Sequence, residues 1–359
     1  MSAGETAADA AADPVGYFLE DMELHGKAER TRRYHESVLR RFESFLADPE
    51  RAPFDDPVAV HEATRRHCMA FVHDLREDCA PGTVATYAAY VHRFYDYMTS
   101  VDAFDDNPMG LVMDELDESV DRDPVRRDIG VREMGRFVRS VAHPLDRALV
   151  LTMLKTGIRV GELCNLDLRD LRLSDGLIAD EFGVEPRPAI DGQPRSLFVS
   201  PAPERGAVHN GEERTASNKR ERPTVAPVDD ELAATLRRWL AVRPDSRSPA
   251  APLFPRTASA WGERVTAKSV RHVVTDHAGD WGWHRAGGGS EENVTPHYFR
   301  HFFTTHLRDR TGDRGVVKYL RGDVAGDVVD TYTHNWGDQV RRVYEANVYR
   351  LLDRSHTDA

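Results

Sequence analysis

The residues best suited to chemistry are His297 and Arg300, in the stretch T-P-H-Y-F-R-H-F-F-T-T-H-L that begins at Thr295. Threonine favours a helix N-cap and proline the first helical position, so the pattern predicts a helix beginning here. At about 100° per residue, the apolar side chains share one face: Phe299, Phe302, Phe303 and Leu307. The polar side chains share the other: His297, Arg300, His301, Thr304 and Arg308. An imidazole and a guanidinium on one face suit a phosphate, because both donate hydrogen bonds to anionic oxygens. Taken alone, the pattern also fits a surface helix with a polar face.

A second guanidinium, that of Arg159, is predicted at the start of another helix. Pro144–Lys155 has the pattern of an apolar helix, and Gly157 suits the left-handed residue that ends one. The following I-R-V-G-E-L-C-N-L places Arg159 and Glu162 in a new first turn. Unpaired N–H groups and the helix dipole favour an anion there. An ordinary Arg–Glu pair explains these charges, but not the glycines on either side of Arg159.

Lys219 lies in a polar, glycine-containing loop. Helical periodicity is lost from Leu177 to Val228, and β-like runs at Leu197–Val199 and Thr224–Val225 predict a small sheet with a long, mobile hairpin that bears this lysine. Only five of the 48 Lys and Arg residues are lysine, so a lysine on a basic hairpin invites explanation. Lysine can act as a general acid, whereas arginine stays protonated. The alternative is that Lys219 is simply one of the five lysines.

Together with Tyr332, these residues form a set suited to phosphoryl transfer without a metal ion. Arg159 and Arg300 can neutralise charge on phosphate oxygens, and the tyrosine can be the covalent nucleophile. Lys219 can protonate a leaving oxygen, and His297 can assist proton movement or hold the phosphate.

Two pairs of residues have the spacing of metal ligands but lack what a metal site needs. His297 and His301 have the i,i+4 spacing of a zinc-binding helix, but no Glu lies between them and Arg300 would oppose the cation. Asp323 and Asp327 resemble a carboxylate pair, but no third ligand has a fixed place. We therefore predict no metal and no cofactor.

Three stretches resemble the sequence boxes of the tyrosine recombinases, the phage-integrase family of site-specific recombinases. T-G-I-R-V-G-E-L, with Arg159, resembles the first-arginine box T-G-x-R-x-x-E-L. T-P-H-Y-F-R-H-F-F-T-T-H-L resembles the H-x-x-R box, and V-V-D-T-Y-T-H, with Tyr332, resembles the nucleophile box. N-K-R-E-R fits the position of the family's hairpin lysine at Lys219. The resemblance covers nearly the whole chain, because its helical N-terminal half is similar to the core-binding domain.

The resemblance implies an enzyme that clamps double-stranded DNA between its domains and forms a 3′-phosphotyrosyl intermediate on Tyr332. Strands would then be exchanged without ATP or metal by a homotetramer on paired sites, to integrate, excise or resolve DNA elements. One position departs from the family: Gly322 is followed by Asp323 where a His or Trp is usual. A carboxylate cannot donate as His does unless it is protonated, and its charge repels phosphate. It can instead orient Arg300 or an adjacent donor.

Two alternatives stay open at this point. The first is a DNA-binding protein of the same fold that no longer cleaves, which Asp323 favours and the retained arginines and Tyr332 oppose. The second is a monomeric nicking-and-closing enzyme similar to a type IB topoisomerase. Deletion of the amphipathic helix predicted at Gln339–Leu352 is expected to abolish exchange by a tetramer and to spare relaxation by a monomer.

The apolar pattern predicts a mainly α fold with a small β-sheet (α+β). We expect a disordered tail at residues 1–13, a helical core-binding domain at 14–117, a charged linker at 118–128 and a catalytic domain with a C-terminal helix at 129–359. Basic residues of the helical domain form either a solvated face or half of a DNA clamp: Arg30, Arg32, Arg33, Arg40, Arg41, Arg65, Arg66, His92 and Arg93. The C-terminal helix would pack on its own domain or on a neighbour.

The net charge of −12 at first argues against a nucleic-acid partner. Abundant Asp with scarce Lys, however, resembles the proteins of halophilic archaea, in which surface acidity reflects the solvent. Local basic clusters still bind phosphates there, although high salt weakens such contacts. No apolar run spans a bilayer and no signal peptide is apparent. The three scattered cysteines predict neither disulfides nor a zinc site, and we expect a cytoplasmic protein.

Overall fold

The computed structural model describes residues 12–51, 54, 56–119, 125–174, 176–323 and 336–353. The chain divides into two compact units, Met1–Pro124 and Val125–Ala359. Helices predominate in both, and the second also contains small antiparallel sheets, so the predicted fold class is confirmed. The division falls within the segment 118–128, while the predicted domain boundaries stay predictions. None of the described helices is long and apolar enough to cross a membrane.

The first unit is built from five α-helices in its described part: α1 (Pro14–Leu24), α2 (Glu29–Leu46), α3 (Arg65–Asp78), α4 (Pro81–Ser100) and α5 (Gly110–Asp114). The apolar stripes of the sequence meet in one core, where Phe42, Phe71 and Phe94 are fully buried. Pro81 stands at the start of α4, because its missing N–H would have no partner in a first turn. Helical spacing of apolar residues therefore accounts for this unit.

Most of the basic residues predicted for a DNA-binding face are paired with carboxylates. Arg32 pairs with Glu23, and Arg65 with Glu115. The same holds for Arg33, Arg40 and Arg41. Such exposed pairs contribute little stability, and phosphates can compete for the guanidiniums. The half-clamp on DNA stays a prediction.

His35 is a buried titratable group at the centre of the first unit. It is 2 % exposed and stacks on Tyr90, with ring centroids 4.0 Å apart. Burial, and secondly the charge of Arg93, lower the pKa of His35 from 6.5 to about 4. The unfolded chain therefore binds a proton at a higher pH than the folded one does. Stability is full above pH 6.5 and falls as the pH drops toward 4.

Acidification should destabilise the first unit of the His35→Phe variant by up to about 3 kcal/mol less than that of the wild type. The phenyl ring keeps the stack on Tyr90 but does not titrate. All five tryptophans lie in the second unit, so far-UV circular dichroism and tryptophan fluorescence together separate the two unfolding transitions. The exposed His73, replaced by Gln, is the control. A variant with the pH slope of the wild type would refute the assignment to His35.

The second unit contains nine α-helices in the residues that are described: α6 (Val131–Ser140), α7 (Pro144–Thr156), α8 (Val160–Cys164), α9 (Leu177–Phe182), α10 (Asp230–Leu240), α11 (Ala267–Asp280), α12 (Pro296–Thr311), α13 (Arg314–Arg321) and α14 (Trp336–Asn347). Its strands are β1 (Leu171–Arg172), β2 (Ser196–Val199), β3 (Val208–His209), β4 (Glu212–Glu213) and β5 (Thr224–Pro227). They form an antiparallel sheet of order β1-β2-β5 and a separate β3-β4 hairpin. Leu197 of β2 lies opposite Leu171 on one side and Ala226 on the other.

Helix α7 is the centre of this unit. Every residue from Ala148 to Thr156 is buried, as expected for a helix that is apolar on all sides. The helix ends at Gly157, which has the predicted left-handed conformation (φ 65°). A Cβ atom on Gly157 would lie 2.2 Å from the Phe303 ring, so glycine is also needed for the close packing of α12.

Two details of the predicted secondary structure need correction. The segment from Leu177 to Val228 is not free of helix, because α9 forms at Leu177–Phe182. The predicted helix at Gln339–Leu352 begins earlier and ends at Asn347. The pairing of β2 with β5 confirms the small predicted sheet.

The C-terminal segment packs on its own unit, while packing on a neighbouring molecule stays a prediction. Val340 and Tyr344 of α14 are each 1 % exposed, and the Tyr344 hydroxyl donates to the Lys155 carbonyl oxygen at 2.9 Å. Lys155, which is fully buried, places its Nζ 2.6 Å from Asp229 and 2.7 Å from Glu231. The same ammonium donates to the Tyr349 carbonyl oxygen. Residues after α14 are thus tied to the end of α7.

Candidate active site

Arg159 is positioned by the turn between α7 and α8. Gly157 reverses the chain, and Arg159 follows as the N-cap of α8 in an extended conformation. Its backbone N–H donates to Glu162 Oε2 at 2.8 Å, so that N–H is not available to an external anion. The expectation of unpaired N–H groups is wrong at this residue, because the Glu162 carboxylate folds back onto the helix start. The Arg159 guanidinium donates from Nη1 to Glu162 Oε1 at 3.1 Å and from Nη2 to Asp323 Oδ1 at 2.8 Å.

Arg300 reaches the same carboxylate from α12. Thr295 is the N-cap and Pro296 the first residue of this helix, as predicted. Arg300 is only 4 % exposed, so it does not lie on an open polar face. Its Nη1 donates to the carbonyl oxygens of Gly157 at 2.7 Å and Arg321 at 2.9 Å. Its Nη2 donates to Asp323 Oδ1 at 2.7 Å, which leaves the guanidinium fixed in orientation.

Burial, and then the charge of Arg159, lower the pKa of Arg300 to about 10. The side chain therefore stays protonated at neutral pH. Two positive guanidiniums converge on one oxygen atom, Asp323 Oδ1, because the carboxylate offsets their repulsion.

Asp323 is placed by the end of α13. Gly322 has φ 68°, its N–H bonds to Tyr319 and the Asp323 N–H bonds to Lys318, which together form a Schellman end. The turn directs the Asp323 carboxylate onto the arginines. Its second oxygen, Oδ2, lies 3.0 Å from Nη2 of Arg321.

Arg321 is a member of the cluster that the sequence did not single out. In a chain with 48 Lys and Arg residues, one more arginine carries no distinctive signal. The one sequence signal for Arg321 is its position next to Gly322, two residues before Asp323, which replaces the His or Trp usual in the family. Partial burial lowers the pKa of Arg321 below its usual value; the charge of Asp323 opposes this shift and the charge of Arg159 adds to it.

A buried ion pair connects the elements of the cluster. Glu162 and Arg220 have fully buried side chains, with Arg220 Nη2 3.0 Å from Glu162 Oε2. Burial acts to raise the pKa of Glu162, but Arg220 outweighs it and the net shift is downward. Arg220 also donates to the Arg321 carbonyl oxygen at 3.2 Å. The pair therefore joins the start of α8, the loop that bears Lys219 and the end of α13.

Lys219 lies in the connection between β2 and β5 and is exposed. Its neighbours are held on both sides: Asn218 accepts from Asn165 Nδ2 at 2.8 Å, and Arg220 is buried against Glu162. A Cβ atom on Gly161 would lie 2.9 Å from the Ser217 carbonyl oxygen. This close approach explains the second glycine beside Arg159, because a side chain there would push the lysine loop away from α8.

His297 lies one turn before Arg300 on α12 and is exposed. Partial desolvation, followed by the charges of four arginines, lowers its pKa: Arg126, Arg300, Arg321 and Arg159. The imidazole is therefore neutral at neutral pH, with one nitrogen able to accept a proton.

The predicted site is only partly assembled within the described residues. Arg159, Arg300 and Asp323 are in direct contact. The charges of these two arginines act on His297, and the loop of Lys219 is joined to them through Glu162. Tyr332, like Asp327 of the rejected metal pair, lies outside the described residues. Guanidiniums around one anionic group, with a neutral imidazole nearby, can bind an oxyanion and move a proton.

Two segments of the chain match a known family. Residues 204–337 match the phage integrase family, and residues 16–103 match its N-terminal SAM-like domain. The tyrosine recombinase XerC of Pelotomaculum thermopropionicum is 25 % identical over 306 residues, covering 80 % of this chain and 81 % of the relative. XerC of Escherichia coli is 24 % identical over 281 residues, covering 77 % of each chain.

Solved structures share the fold. The Tn1549 transposon integrase in complex with a circular intermediate DNA has a TM-score of 0.63 at 16 % identity, over 92 % of this chain and 98 % of that one. A lambda integrase tetramer bound to a Holliday junction has a TM-score of 0.59 at 12 % identity, over 87 % and 77 %.

Proposed function

Given that the chain belongs to the phage integrase family of tyrosine recombinases, we propose that it is a site-specific recombinase that cleaves and rejoins double-stranded DNA. The observation that carries the proposal is the convergence of Arg159 and Arg300 on one anionic oxygen, with donor distances of 2.8 and 2.7 Å. A phosphodiester presents anionic oxygens of the same kind. Fixed guanidiniums stabilise the charge that builds up on such oxygens during phosphoryl transfer.

In the proposed reaction, Tyr332 Oη attacks the scissile phosphorus while Arg159 and Arg300 hold the non-bridging oxygens. The Oη–P bond forms and the bond from phosphorus to O5′ breaks, which leaves a 3′-phosphotyrosyl intermediate. His297 accepts the phenol proton, which the lowered pKa of its imidazole permits at neutral pH. Lys219 gives a proton to O5′. The reverse sequence, with a different 5′-hydroxyl, joins the strands.

Lys219 is suited to the acid role because its loop is held while its side chain is exposed. We predict that Gly161→Ala slows cleavage by up to about 10²-fold, since the new methyl group displaces the lysine loop by colliding with the Ser217 carbonyl. A DNA strand with sulfur in place of the bridging O5′ needs no protonation, and should be cleaved at the wild-type rate. Gly279→Ala, where the nearest atom to the new Cβ is 4.0 Å away, is the control. If Gly161→Ala slowed cleavage of both substrates equally, displacement of Lys219 as the general acid would not be the cause.

The test of the proposed function is covalent trapping. Duplex DNA from beside the protein's own gene, nicked to stall religation, is incubated with the protein at high salt and run on a denaturing gel. We expect an adduct with the wild type and none with Tyr332→Phe. Binding without an adduct, across several sites, would instead favour the non-cleaving alternative, which the negative charge of Asp323 supports.

The assembly and setting are part of the same proposal. We propose a homotetramer on paired sites, supported by the lambda integrase tetramer among the structural neighbours. A net charge of −12 with only five lysines supports the proposal that the protein acts in the cytoplasm of a halophilic cell. Light scattering of the protein with paired and single sites in high salt tests the tetramer directly: a complex that stays monomeric on paired sites would favour the topoisomerase-like alternative.

A further inference from the structure

We propose that Arg321 is a third phosphate-binding arginine, and that the Asp323 carboxylate occupies the position of the scissile phosphate in the DNA-free protein. This inference rests on the proposed function and extends it to a residue outside the recognised boxes. It also gives Asp323 a role that its sequence departure leaves unexplained.

The first support is the way the carboxylate is bound. Oδ1 of Asp323 accepts from Arg159 at 2.8 Å and from Arg300 at 2.7 Å. Oδ2 lies 3.0 Å from Arg321 Nη2. Both oxygens of one anion are thus held by three guanidiniums. A phosphodiester likewise has two non-bridging oxygens, so the same donors can bind it once the carboxylate withdraws.

The second support is electrostatic. Three guanidiniums gathered around one point repel one another unless an anion lies between them. Asp323 supplies that anion and keeps the donors in place before DNA arrives, which lowers the cost of ordering them on binding. A carboxylate and a phosphate cannot share the position, because their charges repel. DNA binding must therefore displace the Asp323 side chain, which is 30 % exposed.

The third support is that Arg321 has a hydrogen-bond donor without a partner among the described residues. Its Nε atom is buried and, among the described residues, has no hydrogen-bond partner. Its backbone carbonyl oxygen accepts from Arg300 Nη1 at 2.9 Å, so the two residues are linked directly. The Arg321 guanidinium thus has donors available when the carboxylate leaves.

The first experiment separates a phosphate contact from a packing role. We expect Arg321→Met to slow adduct formation by about 10²-fold or more, which is typical of a lost oxyanion donor, and Arg321→Lys to recover part of the rate. On a scissile methylphosphonate, in which a methyl group replaces one non-bridging oxygen and removes the charge, the deficit should shrink to less than about tenfold. Arg308→Met is the matched control, since Arg308 is exposed on the same helix as Arg300. An Arg321→Met deficit that is the same on both substrates, or absent on the phosphodiester, would overturn the proposal.

The second experiment does not depend on cleavage. Inorganic phosphate is titrated into the full-length protein by calorimetry at constant salt. Asp323→Asn should bind phosphate at least about tenfold more tightly than the wild type, and adding Arg321→Met should remove that gain. Asp309→Asn, which changes the net charge equally on an exposed residue, is the control.

The outcomes of the two experiments are distinguishable. A wild type without any adduct would contradict the proposed function, and the phosphate titration would then decide the role of Arg321 by itself. Phosphate affinity of Asp323→Asn no higher than that of Asp309→Asn would show that the carboxylate does not occupy an anion site.

Discussion

Replacing Arg300 by lysine is expected to slow formation of the covalent protein–DNA intermediate by about 10²–10³-fold, although the positive charge is kept. Arg300 uses one arm of its guanidinium for the carbonyl oxygens of Gly157 and Arg321, and the other for the anion site. A single ammonium cannot make both sets of bonds from one position. The lysine would satisfy the carbonyls or the phosphate, but not both. Single-turnover adduct formation on nicked DNA measures the effect.

Arg308→Lys provides the control, because Arg308 lies exposed on the same helix and pairs with Asp309. Thermal unfolding must be followed in parallel, since two buried carbonyl groups lose a donor in the Arg300 variant. If the Arg300→Lys protein cleaved within tenfold of the wild-type rate, the two guanidinium nitrogens of Arg300 would not both be needed. That result would contradict the assignment of Arg300 as a phosphate ligand.

Lys155→Met is expected to destabilise the second unit by about 3–5 kcal/mol. The Lys155 ammonium is fully buried between Asp229 and Glu231, at 2.6 and 2.7 Å. Burial acts to raise the pKa of Glu231, but Lys155 outweighs it and the net shift is downward. Removal of the ammonium would leave two carboxylates without the cation that lies between them, and would free the Tyr349 carbonyl oxygen. Urea unfolding followed by tryptophan fluorescence reports this unit.

The pH dependence gives a second check on this pair. The stability that Lys155 provides through Glu231 is present above the unfolded pKa of 4.5 and is lost as the pH falls through the lowered folded value. The difference between wild type and variant should therefore be largest at neutral pH and should shrink in acid. Lys268→Met, at an exposed lysine of α11, should change stability by less than about 0.5 kcal/mol. A Lys155 variant as mild as this control would refute the buried-pair argument.

The same network changes how a deletion of the C-terminal helix must be interpreted. From the sequence, removal of Gln339–Leu352 is expected to distinguish a tetramer, which would lose strand exchange, from a monomer, which would keep DNA relaxation. In the structure, Tyr344 and Leu351 of that segment are buried in the core of their own unit. Its removal would expose the core and release Lys155 from Tyr349, so lost activity would report unfolding. Substitutions at exposed positions of α14, such as Glu345, are the better choice.

Local patterns predicted the elements that carry the site. Thr295 and Pro296 mark the start of α12, Gly157 marks the end of α7, and Phe299 and Phe303 are buried as their spacing indicated. Such signals depend on neighbours within one or two helical turns. The family boxes then singled out Arg159, Arg300 and Tyr332. The catalytic roles of all three stay predictions, and Tyr332 lies outside the described residues.

Contacts between distant parts of the chain were beyond such patterns. Asp323 lies 164 positions from Arg159, and Arg220 lies 58 positions from Glu162. No local spacing couples residues so far apart. The burial of Arg300 was missed for the same reason, because its helix face is covered by the Gly157 turn and the end of α13. Arg321 stands out from the other arginines only in the structure, where it contacts the same Asp323 carboxylate as Arg159 and Arg300.

The Gly322 turn sets limits on how this site can be redesigned. A Cβ atom on Gly322 would lie 2.5 Å from the Arg220 guanidinium carbon, and φ at this position is 68°. A side chain at position 322 would therefore displace the Arg220 guanidinium and strain the backbone. Position 323 is not restricted in this way, since its side chain is partly exposed. Replacing Asp323 by the histidine that the family resemblance implies at this position is expected to remove the internal anion and so convert an occupied anion site into an open one.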